Sequence, residues 1–201
     1  VDHDGYIRYD HIGEGAYKET EKVIQQLLQE RSESLNIKTN TFDLTTLNEF
    51  EHSTFRTPEL YFGYKFASGR NQLGNEQGFH PEMIVEYNIP SEKRQNYFYL
   101  DGKWNNSKDS MKLVSENGLI VLQYNAKQVN IVASNMAELE IFIDGEVVPK
   151  DMIGRDLSPD SKVIVTEPRL YNIVNSSVTE THELTIKVNN PKFEIFTFTF
   201  G

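Results

Sequence analysis

The sequence predicts a mainly β chain: an antiparallel β-sandwich of jelly-roll type, preceded by a strand and one amphipathic helix. Three observations carry this expectation. Beyond Thr57 the chain breaks into roughly ten short runs of alternating polarity, separated by turn dipeptides and without intervening helical patterns, which argues for antiparallel pairing over βαβ units. Aromatic residues reach 11%, with 12 Phe and 10 Tyr against one Trp, a composition that suits thin, half-buried strands. Helical periodicity is clear in a single stretch near the N-terminus.

The elements follow in chain order. Asp4-Gly5 has hairpin-turn chemistry, and Tyr6 to His11 after it reads as a strand. Past the glycine-bracketed turn Gly13-Glu14-Gly15, the segment AYKETEKVIQQLLQER places Val23, Ile24, Leu27 and Leu28 on one stripe of a helix. Glu19 and Glu21 stand early in it and Arg31 at its end, as the helix dipole prefers. Four aliphatic side chains bury too little to offset the ordering of about 30 residues, so residues 1–31 need a partner surface. Residues 32–56 are polar and weakly periodic, a linker with one short strand expected around Thr41 to Leu44.

The remaining strands are expected at Leu60 to Lys65, Met83 to Tyr87, Tyr97 to Leu100, Met111 to Val114, Leu119 to Tyr124, Val129 to Ala133, Leu139 to Ile143, Val163 to Thr166, Leu170 to Val174, Leu184 to Val188 and Phe193 to Phe200. Asp101-Gly102, Asn117-Gly118 and Asp144-Gly145 supply turns between them. Leu139, Ile141 and Ile143 share one strand face, as do Leu184, Ile186 and Val188. The last strand puts Phe196, Phe198 and Phe200 on one face and Ile195, Thr197 and Thr199 on the other. The glycine-rich stretch from Phe66 to Gly78 is expected to be an exposed, mobile loop. It precedes no helix and is too loose to cradle phosphate.

Charge and composition then exclude whole classes of function. Thirty Asp and Glu against 20 Lys and Arg leave a net charge of −10, a field that repels nucleic acid and anionic membranes. The chain has no cysteine, which removes disulfides, thiolate nucleophiles, Cys-ligated metals and CxxC redox chemistry from these residues. No apolar run approaches the roughly 20 residues needed to span a bilayer. His3, His11, His52, His80 and His182 show neither HxH nor HExxH spacing, and no DxDxDG pattern suggests calcium, so no metal or cofactor is expected.

Four segments resemble a known family. The run DGYIRYDHIGEGAYKETEKVIQQLL is similar to the last strands and final helix of an extracytoplasmic thioredoxin-like (redoxin) domain. TPELYFGY at 57–64, VTEPRLYNIV at 165–174 and the closing FTFTFG at 196–201 resemble the C-terminal domain of DipZ-type thiol-disulfide oxidoreductases. The resemblance implies three regions: residues 1–31 as the remnant of a thioredoxin fold, 32–56 as a linker, and 57–201 as a jelly roll like a carbohydrate-binding module. It also implies an extracytoplasmic location and a redox CxxC upstream of Val1. No position here matches that motif, so redox activity does not carry over to this chain.

What the module would do rests on a few side chains. Trp104, the single indole, would stack on a pyranose ring if exposed, with Asn105, Asn106 and Asp109 taking hydroxyls; a Trp under the sandwich is the plainer alternative. Thr57, Glu59, Tyr61 and Tyr64 would rim a cleft, or would alternate at a strand entry. Arg169, beside Glu167-Pro168, would clamp a ligand, or would pair with Glu167 or Glu59. The expected function is therefore a non-catalytic module that binds a glycan or a protein partner or packs on an upstream redoxin domain. The alternatives are a purely structural adaptor and a glycan hydrolase with paired carboxylates about 5–9.5 Å apart, a pair the sequence does not nominate. The apolar stripe of the N-terminal helix offers a further partner surface, including to a second copy in a homodimer.

Overall fold

The computed structural model describes residues 1–11, 17–36, 56–67 and 69–201, and the chain divides into two units, Val1–Ser53 and Thr54–Gly201. The turn at Gly13-Glu14-Gly15 and the strand expected around Thr41 to Leu44 lie outside the described residues.

In the first unit, Asp4-Gly5 turns as its sequence requires. Gly5 takes φ +91°, and the Asp2 and Tyr6 backbones close the turn at 2.9 Å. Arg8 Nη1 lies 3.2 Å from both Asp2 and Glu30 and so ties this turn to helix α1, Tyr17–Ser34. Of the predicted stripe, Ile24 and Leu28 are exposed while Val23 and Leu27 are half-buried. Tyr6 to His11 does not form the expected strand: a ladder needs a neighbour, and among the described residues none pairs with it.

The second unit is an antiparallel β-sandwich built on three strands that serve both layers: β3 (Phe98–Asn106), β5 (Gly118–Ser134) and β9 (Arg169–Val188). The sequence reading divided β5 and β9 into two strands each, because polar residues interrupt them midway. At about 3.3 Å per residue, a straight strand the length of β9 would far exceed an ordinary strand of about 17–20 Å. Bulges between Ala126 and Gln128 and between Val129 and Asn130 break the register there, and each half then joins a different set of neighbours.

In one layer Phe98–Asp101 of β3 pairs with Leu119–Leu122 of β5, which pairs with the C-terminal half of β9, which pairs with β6 (Ala137–Ile143). The short β7 (Glu146–Val147) and β8 (Lys162–Val165) flank β6. In the other layer β2 (Ile84–Tyr87) and β4 (Met111–Leu113) flank the end of β3. There β10 (Glu194–Phe200) joins β4 and β1 (Leu60–Tyr61) to the second half of β5. Rows of cross-strand partners such as Leu100–Ile120–Ile186–Ile141 and Leu60–Phe198–Ile131–Tyr171 bury into one core.

Three local expectations are corrected. Asp101-Gly102 is not a hairpin turn but lies inside β3, where Gly102 at φ +95° lets the strand change partners from β5 to β2. In β10 a bulge between Ile195 and Thr197 brings both Ile195 and Phe198 inward, so Phe196, Phe198 and Phe200 do not share one buried face. The stretch 66–78 is not simply an exposed loop: Gln72, Leu73 and Asn75 are buried and Leu73 bridges to Phe98, with Ser68 outside the described residues. Asp144-Gly145 does form the β6–β7 turn, with φ +52° and +84° at its two central residues.

A β-carbon at Gly102 would lie 2.9 Å from the Asn117 carbonyl oxygen and the Ser115 hydroxyl, at a φ that side chains rarely adopt. Gly102→Ala is expected to lower stability by about 1–3 kcal/mol, read as a fall in the urea midpoint. Gly69→Ala, where a β-carbon meets nothing within 4 Å, should leave the midpoint close to its original value.

Candidate functional site

The segment TPELYFGY enters the sandwich through Thr57, which is buried. Its hydroxyl donates to Asn96 Oδ1 at 2.7 Å and accepts from the Asn125 amide at 2.8 Å. Gln72 then reads the next turn of chain, donating to the Glu59 carbonyl at 2.8 Å and accepting from the Tyr61 amide at 3.2 Å. These contacts place Glu59 and Tyr61 at the edge of β1, with a short 3-10 turn at Tyr64–Phe66 beyond.

On this surface the Tyr61 hydroxyl donates to the Glu59 carboxylate. That bond, with some help from burial, holds the Tyr61 hydroxyl above the ordinary phenol range. The Tyr61 ring carries the Phe66 ring at 4.4 Å and the Arg70 guanidinium at 5.1 Å, and Lys65 lies 5.5 Å from the Phe66 centroid. Tyr64 donates to Glu82 at 2.9 Å, and Lys65 Nζ stands 3.7 Å from Asp109. Glu59 and Tyr61 thus share one cation–aromatic surface with Phe66 and Arg70, while Tyr64 turns to Glu82.

The other expected site residues stand elsewhere. Trp104 is fully buried, against the exposed sugar platform considered from sequence. It occupies the middle of the Val85–Trp104–Leu113 row, and its Nε1 donates to the Asp101 carbonyl at 2.8 Å, so neither its face nor its edge is open to a ligand. Asn106 is buried beside it, accepting from Tyr87 Oη at 2.8 Å and the His80 amide at 3.0 Å, and burial pushes the Tyr87 hydroxyl up to about 12. Asn105 turns to Ser107 at 3.2 Å. Arg169 pairs with Asp156 at 2.9 Å and Glu167 at 3.8 Å and lies 3.7 Å over the Tyr171 ring. Its partner is therefore Asp156 together with Glu167, and Glu59 belongs to Tyr61 instead.

One cluster escaped the sequence reading. His182 on β9 is the register partner of Tyr124 on β5, and its Nδ1 lies 2.7 Å from Asp144 Oδ2 in the β6–β7 turn. Its Nε2 lies 3.6 Å from Glu180, and both that nitrogen and the Tyr124 hydroxyl are buried without a hydrogen-bond partner. Burial, and then the Asp144 charge, drive the Tyr124 hydroxyl far up. Burial also pushes the Asp144 carboxyl up, but the Glu183 amide at 2.8 Å and the His182 ring outweigh it and leave Asp144 below the usual carboxylate range. Residues 38 positions apart in sequence carry no local signature of such a pair. Among the described residues no group of three His, Asp or Glu side chains is arranged to hold a metal ion, and no helix is long and apolar enough to cross a membrane.

The profile of the family described as "Thioredoxin like C-terminal domain" matches residues 57–201, the whole of the sandwich from Thr57 to the last glycine. The chain belongs to this family. Two curated relatives, the proteins named DipZ of Mycobacterium bovis and Mycobacterium tuberculosis, are each 27% identical over 206 residues, covering 100% of this chain and 26% of their own length. The chain thus spans about a quarter of the relatives it matches. Among solved structures, a family two carbohydrate esterase from Clostridium thermocellum with cellohexaose aligns over 52% of this chain and 31% of its own, at 12% identity and TM-score 0.42. A family 6 carbohydrate-binding module aligns over 60% and 95%, at 12% identity and TM-score 0.32. The family match and the DipZ relatives agree with the redoxin resemblance of the N-terminal and closing motifs.

The Asp144 pair has a pH consequence. Because its folded-state pKa lies below the unfolded value of about 3.9, its contribution is complete above that value and is lost as pH falls through the folded pKa. Asp144→Asn should remove part of the loss of stability below about pH 4, measured as thermal midpoint against pH, and leave Asp156→Asn as a control with its own Arg169 contact.

Proposed function

We propose that this chain is a non-catalytic β-sandwich module of a larger redoxin-type, extracytoplasmic protein, and that its role is to dock a protein surface, in the first place the thioredoxin-like domain of the same protein. The absence of cysteine from a chain of this family carries the reading: thiol-disulfide chemistry must come from residues other than these 201. Two further observations favour a protein partner over a glycan. Trp104 lies in the core, and the Tyr61 ring is already covered by Phe66 and Arg70 while its hydroxyl is held by Glu59. What remains at that surface is an arrangement of cations and aromatic edges suited to protein contact, where Tyr and Arg are the preferred anchors.

The chain is expected to give no turnover in an insulin-reduction assay and flat isothermal titrations with a panel of oligosaccharides. A purified thioredoxin-like domain of the DipZ type should bind it, and the double change Tyr61→Ala with Arg70→Ala should weaken that binding by about tenfold or more. Measurable disulfide exchange, or heat on glycan addition with no response to the thioredoxin-like domain, contradicts the reading.

A further inference from the structure

The loops that lead from β5 to β6 and from β9 to β10 meet at one end of the sandwich and form a groove of about 350 Å³, lined by Lys112, Asn135, Met136, Asn190, Pro191 and Lys192. The two loops hold each other reciprocally. Asn135 of the first donates from Nδ2 to the Lys192 carbonyl of the second at 2.9 Å, and Asn190 of the second donates from Nδ2 to the Met136 carbonyl of the first at 2.8 Å. Asn135 and Lys192 sit at φ +64° and +82°, and the Lys192 amide is anchored to the Leu113 carbonyl at 2.9 Å. A lysine in that conformation is uncommon and is kept there by the surrounding bonds.

Two lysines line this one groove. In a chain of net charge −10, Lys65, Lys93, Lys103 and Lys162 each have a carboxylate within 4.0 Å. Lys112 and Lys192, like Lys108, Lys127 and Lys150, have no such ion pair among the described residues, and they are the two that share a groove. Glu194, the cross-strand partner of Lys112, is engaged instead by Ser110 Oγ at 2.5 Å, Asn135 Nδ2 at 3.3 Å and Ser134 Oγ at 3.5 Å. Two ammonium groups against one carboxylate leave this place locally positive. Met136, 71% exposed, and Pro191 add apolar surface beside them.

We propose that this groove docks an acidic peptide segment of a protein partner. The Lys112 and Lys192 ammonium groups take its carboxylates, the Oδ1 atoms of Asn135 and Asn190 accept its backbone N–H groups, and Met136 and Pro191 cover its aliphatic stems. The exposed apolar surface of Met136 and Pro191 beside the two lysines favours a peptide, with its aliphatic stems, over a bare inorganic anion. The overall negative charge excludes a polyanion as long as a nucleic acid. This site is separate from the Tyr61 surface and stands or falls independently of the docking proposed there.

The test is titration of the whole ¹⁵N-labelled chain with a capped hexaglutamate peptide, followed by NMR. Saturable shifts should centre on the Asn135 and Asn190 side-chain amides and the Lys192 backbone amide. The change Lys112→Glu with Lys192→Glu should weaken binding by about tenfold or more, and Lys112→Gln with Lys192→Gln by an intermediate factor. Lys103→Glu with Lys162→Glu, which alters net charge equally, should have little effect. Absence of shifts at these amides, an equal loss in the Lys103 and Lys162 control, or inorganic phosphate reproducing the shifts at the same affinity overturns the proposal.

Discussion

The ladder between β5 and β9 is the contact on which the rest of this molecule depends. It runs from the Gly118–Val188 pair to the Ala133–Arg169 pair and passes from one layer of the sandwich to the other. Each layer is assembled by adding strands to one half of it: β3 and β6 at one end, β10 at the other. A bulge pair near Ala126 and Val129 makes that bend feasible, because an extra residue in one strand increases local twist without abandoning the flanking hydrogen bonds. The core is therefore continuous across the bend, and residues as far apart in sequence as Leu60 and Ile131 meet through β10.

Polar groups inside this framework serve it rather than a ligand. Asn75 receives the Leu100 amide at 2.8 Å and returns Nδ2 to the Leu100 carbonyl at 2.8 Å, so a loop side chain imitates a strand neighbour. Asn172 donates to Asn130 at 2.8 Å and accepts from the Arg155 amide at 2.8 Å, fixing the loop that carries Asp156 to Arg169. Buried amides that lose such partners cost about 1–3 kcal/mol each, which makes them positions of structure. Side chains that seemed suited to sugars, Trp104 and Asn106 above all, are committed in the same way.

Much of the fold was legible in the sequence, and the reasons differ by element. Period-two alternation placed β6 and the end of β9 with the correct inward faces, since Leu139, Ile141, Leu184 and Ile186 are all buried. The Asp144-Gly145 turn was legible because two positive φ values leave few residue choices. The long strands were misread as pairs because a bulge looks like a turn in one dimension. Gly102 was misread for the same reason: a glycine that kinks a strand and one that closes a hairpin look alike until the partners are known. Glu59 and Tyr61 stand two positions apart, so their contact is legible in a local motif. The contacts of Phe66 and Arg70 with the Tyr61 ring are not, since cation–aromatic stacking depends on how a loop folds back. The His182–Asp144 pair and the stapled groove join residues more than 35 positions apart, and no local pattern announces them.

The central claim is that one bent ladder makes a single cooperative module, and native-state hydrogen exchange tests it most directly. Amides in both halves of the ladder, such as Ile120 and Ile131 on β5 and Ile186 and Tyr171 on β9, are predicted to exchange last and with one common opening free energy equal to that of global unfolding. If one half opens at markedly lower free energy while the other stays protected, the two layers are separate units and the account is wrong.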